Sequence, residues 1–157
     1  MLQIYTVSFF GHREIDRFSE VETKVSSLVR SLIQEKPYVD FLVGRNGEFD
    51  QLVTSEIRRA KQDLHFGNSS LIWVMPYNMA EYRENRKSFD QYYDSVETCP
   101  ESYDAHPKAA YQIRNRSMVE RSDLVVFYVS HESGGAYQTM QYAKRIGKAI
   151  INIADSL

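Results

Sequence analysis

The chain alternates short apolar runs with stretches in which apolar side chains return every three or four positions. Residues 3–10 form the first run, rich in aromatic and β-branched side chains, and Gly11 ends it. Ser19 and Glu22 then stand at capping-box spacing, which predicts a helix start there. Val21, Val25, Leu28, Val29, Leu32 and Ile33 fall on one helical face, and Pro37 lies just past the expected end. The pattern then repeats. Tyr38–Val43 is a second apolar run, closed by Gly44-Arg45-Asn46-Gly47, after which Phe49, Leu52, Val53, Ile57 and Ala60 mark another helical face. Residues 70–75, 123–129 and 148–153 are the remaining strand candidates, the middle one nearly unbroken in apolar character, as a parallel strand covered on both faces requires. A helix is expected over 134–145, with Gly147 placed to stop it.

Strand and helix in strict alternation predict an α/β fold: a Rossmann-like three-layer sandwich with a mainly parallel sheet of about five strands and right-handed crossovers. With 157 residues, one domain spanning 1–157 is expected. One stretch breaks the pattern. Across 77–107, Tyr77, Tyr82, Phe89, Tyr92, Tyr93 and Tyr103 are interleaved with charges and with Pro100 and Pro107, and a short helix near 81–93 followed by a long loop fits best. Such a stretch reads as a flap over a site, with a solvated insertion or a dimer surface as the plain alternatives.

Nineteen basic and 21 acidic residues leave a formal net charge of −2, so no extended nucleic-acid surface and no membrane-binding field is expected. No apolar run approaches the roughly 20 residues of a membrane span, the N-terminal run has no basic flank, and Cys99 is the lone cysteine. The expectation is a cytoplasmic protein. Neither CxxC nor HExxH spacing occurs, so no metal site is expected, and no cofactor either.

In a parallel α/β sheet a small ligand sits beyond the carboxyl ends of the strands, and three segments fall there. Gly11-His12-Arg13 follows the first strand: the glycine permits a tight turn, and His12 and Arg13 offer donors to an anionic or heteroaromatic group, unless the segment is only a surface loop that leads into a helix. Gly44-Arg45-Asn46-Gly47-Glu48-Phe49-Asp50 joins a strand to a helix and exposes backbone N–H groups of the kind that cradle phosphate, although Asn46-Gly47 also fits an ordinary turn. Ser130-His131-Glu132-Ser133-Gly134-Gly135 leads into the helix that carries Thr139, where paired glycines allow close approach by phosphate or ribose; a ligand-free flexible loop is the alternative. Arg114, Asn115 and Arg116 cluster on an expected helix, as a phosphate clamp or as charged surface. No GxSxG elbow is present, His65 and His106 have no motif around them, and Trp73 sits within a strand as core.

Taken in order, Gly11-His12-Arg13, Gly44-x-x-Gly-x-Phe-Asp50, Arg114-Asn115-x-x-Met118 with Ser122-Asp123, and Gly134-Gly135 with Thr139 resemble the SLOG superfamily. That superfamily gathers Rossmann-like nucleotide-ligand sensors, DNA-processing proteins and Lonely Guy-type phosphoribohydrolases; the likeness is nearest to a small stand-alone bacterial branch with a Gly-His-Arg start. Against the hydrolase signature, Arg114 and Met118 match, Ser133 replaces a proline, and Tyr142 stands where the family has the acid that assists glycosidic cleavage.

The resemblance implies a domain that binds or senses a nucleotide-derived, ribose-phosphate ligand. Gly11, Gly44, Gly47, Gly134 and Gly135 would shape the cradle, Arg13, Arg45 and Arg114 would meet phosphate, and Asp50 or Thr139 would contact ribose, with His12, Asn46 and Ser130 nearby. The rival is a nucleotide N-glycosidase with Glu48 or Asp50 as the catalytic acid, since such cleavage needs a carboxylate close to the sugar. A ligand-free interaction domain is third, and the resemblance makes a homodimer plausible.

Overall fold

The structure is a computed structural model and describes residues 2–157. Its strands are β1 (Ile4–Gly11), β2 (Tyr38–Val43), β3 (Ser69–Met75), β4 (Ser95–Thr98), β5 (Leu124–Tyr128) and β6 (Ala149–Asn152). Its helices are α1 (Phe18–Glu35), α2 (Glu48–Leu64), α3 (Ala80–Glu84), α4 (Arg86–Tyr92), α5 (Pro107–Glu120) and α6 (Gly135–Arg145), and a 3₁₀ turn spans Ile153–Ser156. One six-stranded sheet runs in the order β4-β3-β2-β1-β5-β6 with every neighbouring pair parallel. It is the expected Rossmann-like three-layer sandwich with one strand more than the sequence pattern predicted.

Alternation along β1 explains the layers. Val7 and Phe9 face one side, where Val21, Val25 and Val29 of α1 and Phe49, Val53 and Ile57 of α2 close over them. Phe10 faces the other side with Leu42, Val125 and Phe127, and is covered by Met118 of α5 and Met140 and Ala143 of α6. Both faces are buried, so polar side chains on the central strands are few: half-buried Thr6 and Asp40, paired across β1 and β2, and buried Ser8, whose hydroxyl lies 2.6 Å from that of Ser122. Asp123 fixes the register beside it, exchanging hydrogen bonds with both backbone groups of Thr6 at 2.8 Å. Asn152 extends the β5 ladder by the same means, its amide bonding Val129 N–H and C=O at 3.0 Å each.

The sixth strand lies inside the Tyr-rich stretch, which consists of two short helices and β4. A four-residue edge strand with two exposed ends carries too little alternation to be read from sequence. Its aromatic residues pack on the sheet: Tyr82, Phe89 and Tyr93 surround buried Trp73 with ring centroids 5.9, 5.1 and 5.4 Å away. A second departure concerns α1, which begins at Phe18, one residue before the expected capping Ser19. Arg17 is the N-cap in the left-handed region with φ 58°, and no side chain caps the helix. The Arg17 side chain pairs with Glu20, so first-turn charge replaces the capping box.

Trp73 is the anchor for α3, α4 and β4, so Trp73→Ala is expected to destabilise the chain by about 3–5 kcal/mol. Urea unfolding measures the loss, and hydrogen exchange should show the 80–98 region opening ahead of the central strands.

Candidate functional site

The chain moves outward from β1 through β2 and β3 to β4, then returns to the other side of β1 for β5 and β6. The β1–β5 junction is therefore the topological switch point, where the loops leaving the two strands diverge and leave a crevice. A cavity of about 450 Å³ occupies it. Gly11, His12, Arg13, Gly44, Asn46, Asp50, Arg114, Gly134 and Gly135 all line this cavity, so three loops and a helix distant in sequence converge as their motifs suggested.

Each glycine of the first two loops answers a steric demand. A Cβ on Gly11 would lie 2.3 Å from the Phe49 ring, and one on Gly47 would lie 2.5 Å from the Arg13 Cα, so the β1 and β2 loops touch backbone to backbone. Glu48 N–H donates to the Arg13 carbonyl at 2.9 Å, and the Glu48 carboxylate accepts from Ile15 N–H at 2.8 Å, which ties the start of α2 to the Gly-His-Arg loop. Gly134 has φ 93°, a conformation that favours glycine, and leaves the first turn of α6 without a side-chain cap. The N–H groups there open beside the cavity.

His12 is buried between strands, and its Nε2 accepts a hydrogen bond from Ser130 N–H at 3.0 Å. That bond requires the neutral ring, with the proton on Nδ1. His131 lies flat against it, centroids 3.6 Å apart and planes within 5°, and Ser133 holds the outer ring through Nδ1 at 2.9 Å. Burial, with the second imidazole beside it, holds His12 below the ordinary histidine value.

Arg114 is fully buried at the cavity floor. Its Nη1 donates to the Val74 carbonyl at 2.9 Å and its Nε to the Asn115 side chain at 3.0 Å, while Nη2 makes no hydrogen bond among the described residues. Asn115 passes the chain on to Thr139 at 3.1 Å, and Thr139 to the Gly135 carbonyl at 2.8 Å. Burial lowers the Arg114 pKa, and the charge of Asp50 opposes that shift. Asp50 shows the reverse: burial raises it, while Asn46 N–H, 2.8 Å from its Oδ2, and Arg114 pull it down. Tyr111, one turn before Arg114, lays its ring 5.4 Å from that guanidinium.

Of the other sequence candidates, Asp50 lines the cavity, whereas Arg45, Glu48, Ser130 and Thr139 do not. Arg45 turns away to Glu81, 3.1 Å from its Nε, and Thr139 lies beneath the floor as a positioning residue. Ser130 contributes its backbone. Glu48 and Asp50, the expected acids, are both engaged with loop N–H groups, and Tyr142 pairs with Glu120 outside the crevice. His131, Glu14, Tyr111 and Asn115 line the cavity without having been singled out as ligand residues. For Tyr111 and Asn115 the signal was present, since both share a helical face with Arg114; the His131 stack depends on two loops meeting and has none. His65 ends α2 with φ 55°, and His106 caps α5 through Lys108 N–H at 3.2 Å.

A Rossmann-like sheet with its crevice at the switch point is thus the class of protein defined. No family model and no curated protein matches the chain. Among solved structures it is similar to DNA processing protein A of Streptococcus pneumoniae, with TM-score 0.68 and 15% identity, over 94% of this chain and 49% of that one. It is also similar to DNA processing protein A of Helicobacter pylori, solved for its single-stranded DNA binding mode, with TM-score 0.65 and 14% identity, over 93% of this chain and 63% of that one. The chain spans about half to two thirds of those proteins, and at this identity the likeness establishes the fold.

These findings correct three expectations. The structural likeness is to DNA processing protein A, not to the small stand-alone SLOG branch or the Lonely Guy-type hydrolases. The reading as a sensor or N-glycosidase of a nucleotide-derived ligand falls with it. So does the expected absence of a nucleic-acid surface: a net charge of −2 averages the whole molecule and hides the arginines gathered at one crevice. As to localisation, no helix among the described residues is long and apolar enough to cross a membrane.

The His12 geometry predicts a pH effect. Its folded pKa is lowered, so its contribution to stability is present above the unfolded value near 6.5 and is lost as pH falls through the folded value. Thermal melts at stepped pH should show the wild type losing more Tm between pH 7.5 and pH 5 than His12→Gln does. Equal losses would remove His12 as the titrating group.

Proposed function

We propose that the chain binds single-stranded DNA, with the phosphodiester backbone lying across the crevice at the carboxyl ends of β1, β2 and β5. The observation that carries the reading is cationic: the Arg13 guanidinium is exposed at the rim with no ion pair among the described residues, and Arg114 holds Nη2 unbonded at the floor. An anion that enters between them also meets the uncapped first turn of α6, whose N–H groups and dipole favour negative charge. Stacked on His12, the exposed His131 offers its outer face to a base, a sequence-tolerant contact that suits a single strand. The single-stranded DNA binding of the Helicobacter pylori protein, on a fold shared over nearly this whole chain, supports the same ligand.

A duplex fits the crevice poorly, because the contacts lie in a cleft rather than along a face that tracks two backbones. The compartment that goes with this ligand is the cytoplasm, and the single buried Cys99 thiol suits its reducing conditions. The function proposed is binding and positioning; Glu48 and Asp50, the candidate acids, both accept hydrogen bonds from loop N–H groups.

Fluorescence anisotropy with a labelled thymidine oligonucleotide tests the proposal across a salt series. Binding should weaken as salt rises, and Arg13→Ala should flatten the log–log slope by about 0.7, the value of one phosphate on a single strand. Affinity should fall to a similar degree for every base sequence, since a phosphate contact carries no base information. An Arg13→Ala protein with wild-type affinity and slope would place the strand elsewhere; no binding by the wild type at low salt would dispose of the function itself.

A further inference from the structure

Past Gly44 and Asp50 the crevice has a neighbour. A second cavity of about 370 Å³ opens between α2 and α4, and those two residues belong to the walls of both. Its chemistry differs from that of the first. Phe89, Tyr92 and Tyr93 supply aromatic surface on one side, and Gln51 and Ser55 of α2 face Ser88 of α4 across the opening. None of those three polar side chains makes a hydrogen bond among the described residues, and all three are exposed. Among the lining residues the one cation, Arg45, lies 4.9 Å over the Phe89 ring and is already paired with Glu81, while Arg58, outside the lining, lies 4.0 Å over the Tyr92 ring. The Arg45 charge is met by Glu81, so no lining residue offers a free cation to a phosphate.

We propose that this cavity seats one unstacked base of the bound strand, its ring against Phe89 and Tyr92 and its edge toward Gln51, Ser55 and Ser88. The inference rests on the strand-binding reading above. A neutral planar heterocycle is what the lining would recognise: aromatic rings supply stacking, and exposed amide and hydroxyl groups without protein partners supply donors and acceptors to its edge. The volume lies within the range of small-ligand pockets and exceeds what one base needs, so the attached sugar also finds room. Continuity decides between a separate ligand and a strand. Because Gly44 and Asp50 are common to both cavities, a nucleotide whose phosphate sits by Arg114 has its neighbour's base within reach of the second opening. At Gly44 the shared wall leaves little room for a side chain, since a Cβ there would lie 3.1 Å from Asp50 and 3.2 Å from Arg114.

The test uses the full chain and a labelled DNA hexamer built entirely of abasic spacers, against the same hexamer carrying a single thymine or adenine. The bare backbone reports the crevice, and the gain on adding one base reports base binding, whatever register the strand takes. The expected gain is about tenfold, within the range of one base stacked on aromatic side chains. Ser55→Leu and Ser88→Leu, separately and combined, narrow the opening from its two walls at exposed helix positions, and their melting temperatures verify the fold. The gain should shrink in each and vanish in the pair. A gain that survives in the pair assigns the base to another surface, such as His131, and overturns the proposal. So does the absence of any gain while the abasic hexamer still binds, an outcome that leaves the strand-binding reading standing. If neither the abasic hexamer nor a thymidine hexamer binds, both readings fall together.

Discussion

The buried guanidinium of Arg114 is the constraint on which the site depends. A charge inside a protein is tolerated only when its donors are matched and an opposite charge lies near. Here the Val74 carbonyl at the end of β3 and the Asn115 side chain take two of its donors, and Asp50 supplies the nearby charge. The same residues therefore decide where α5 sits against the sheet. Through Asn115, Thr139 and the Gly135 carbonyl, that position passes to the first turn of α6. Through Asp50 and Asn46 N–H it passes to the β2 loop. Three of the segments around the crevice are thus held by one polar network with little freedom to relax independently, which is what a preorganised anion site requires.

The loops of β1 and β2 are locked by a different means, steric contact. Gly11 and Gly47 have no room for a side chain, and their neighbours Phe49 and Arg13 fill the space that a Cβ would take. Phe49 belongs to the core layer beneath, stacked on Tyr128 at 5.9 Å. Crevice and core are therefore continuous: the residues that shape the cavity rim are also packed against α2 and β5.

Much of this could be read from the chain before any coordinates. Apolar runs and helical faces marked all five expected strands and the major helices to within a residue or two, because buried parallel strands and amphipathic helices leave the strongest periodic signals. The loop glycines were legible for the same reason that they are needed, since glycine between a strand and a helix marks close backbone approach. Three features were not legible. Strand β4 is too short and too exposed to alternate. The His12–His131 stack joins residues from different loops. The arginines gather only through folding, so the near-neutral composition pointed away from a polyanion when a local concentration of guanidinium was present.

The Tyr-rich segment shows how the two kinds of information combine. Its charges and poor periodicity gave it the look of an insertion, yet its rings clamp Trp73 in the sheet and its outer residues build one wall of a cavity beside the crevice. Packing on Trp73 fixes Phe89, and fixing Phe89 positions Ser88 and Tyr92 on the adjoining turn of α4. A segment anchored in this way cannot swing freely, so whatever enters the second cavity meets a formed wall and pays little ordering entropy at binding. Arg45 belongs to both accounts: it leaves the loop between β2 and α2, crosses Phe89 and ends at Glu81 of α3, linking the Gly44 loop to the Tyr-rich segment. The two cavities are for this reason coupled in geometry. A strand lying as proposed would meet the two cavities as one continuous surface, with the Gly44 loop and Arg45 held between them.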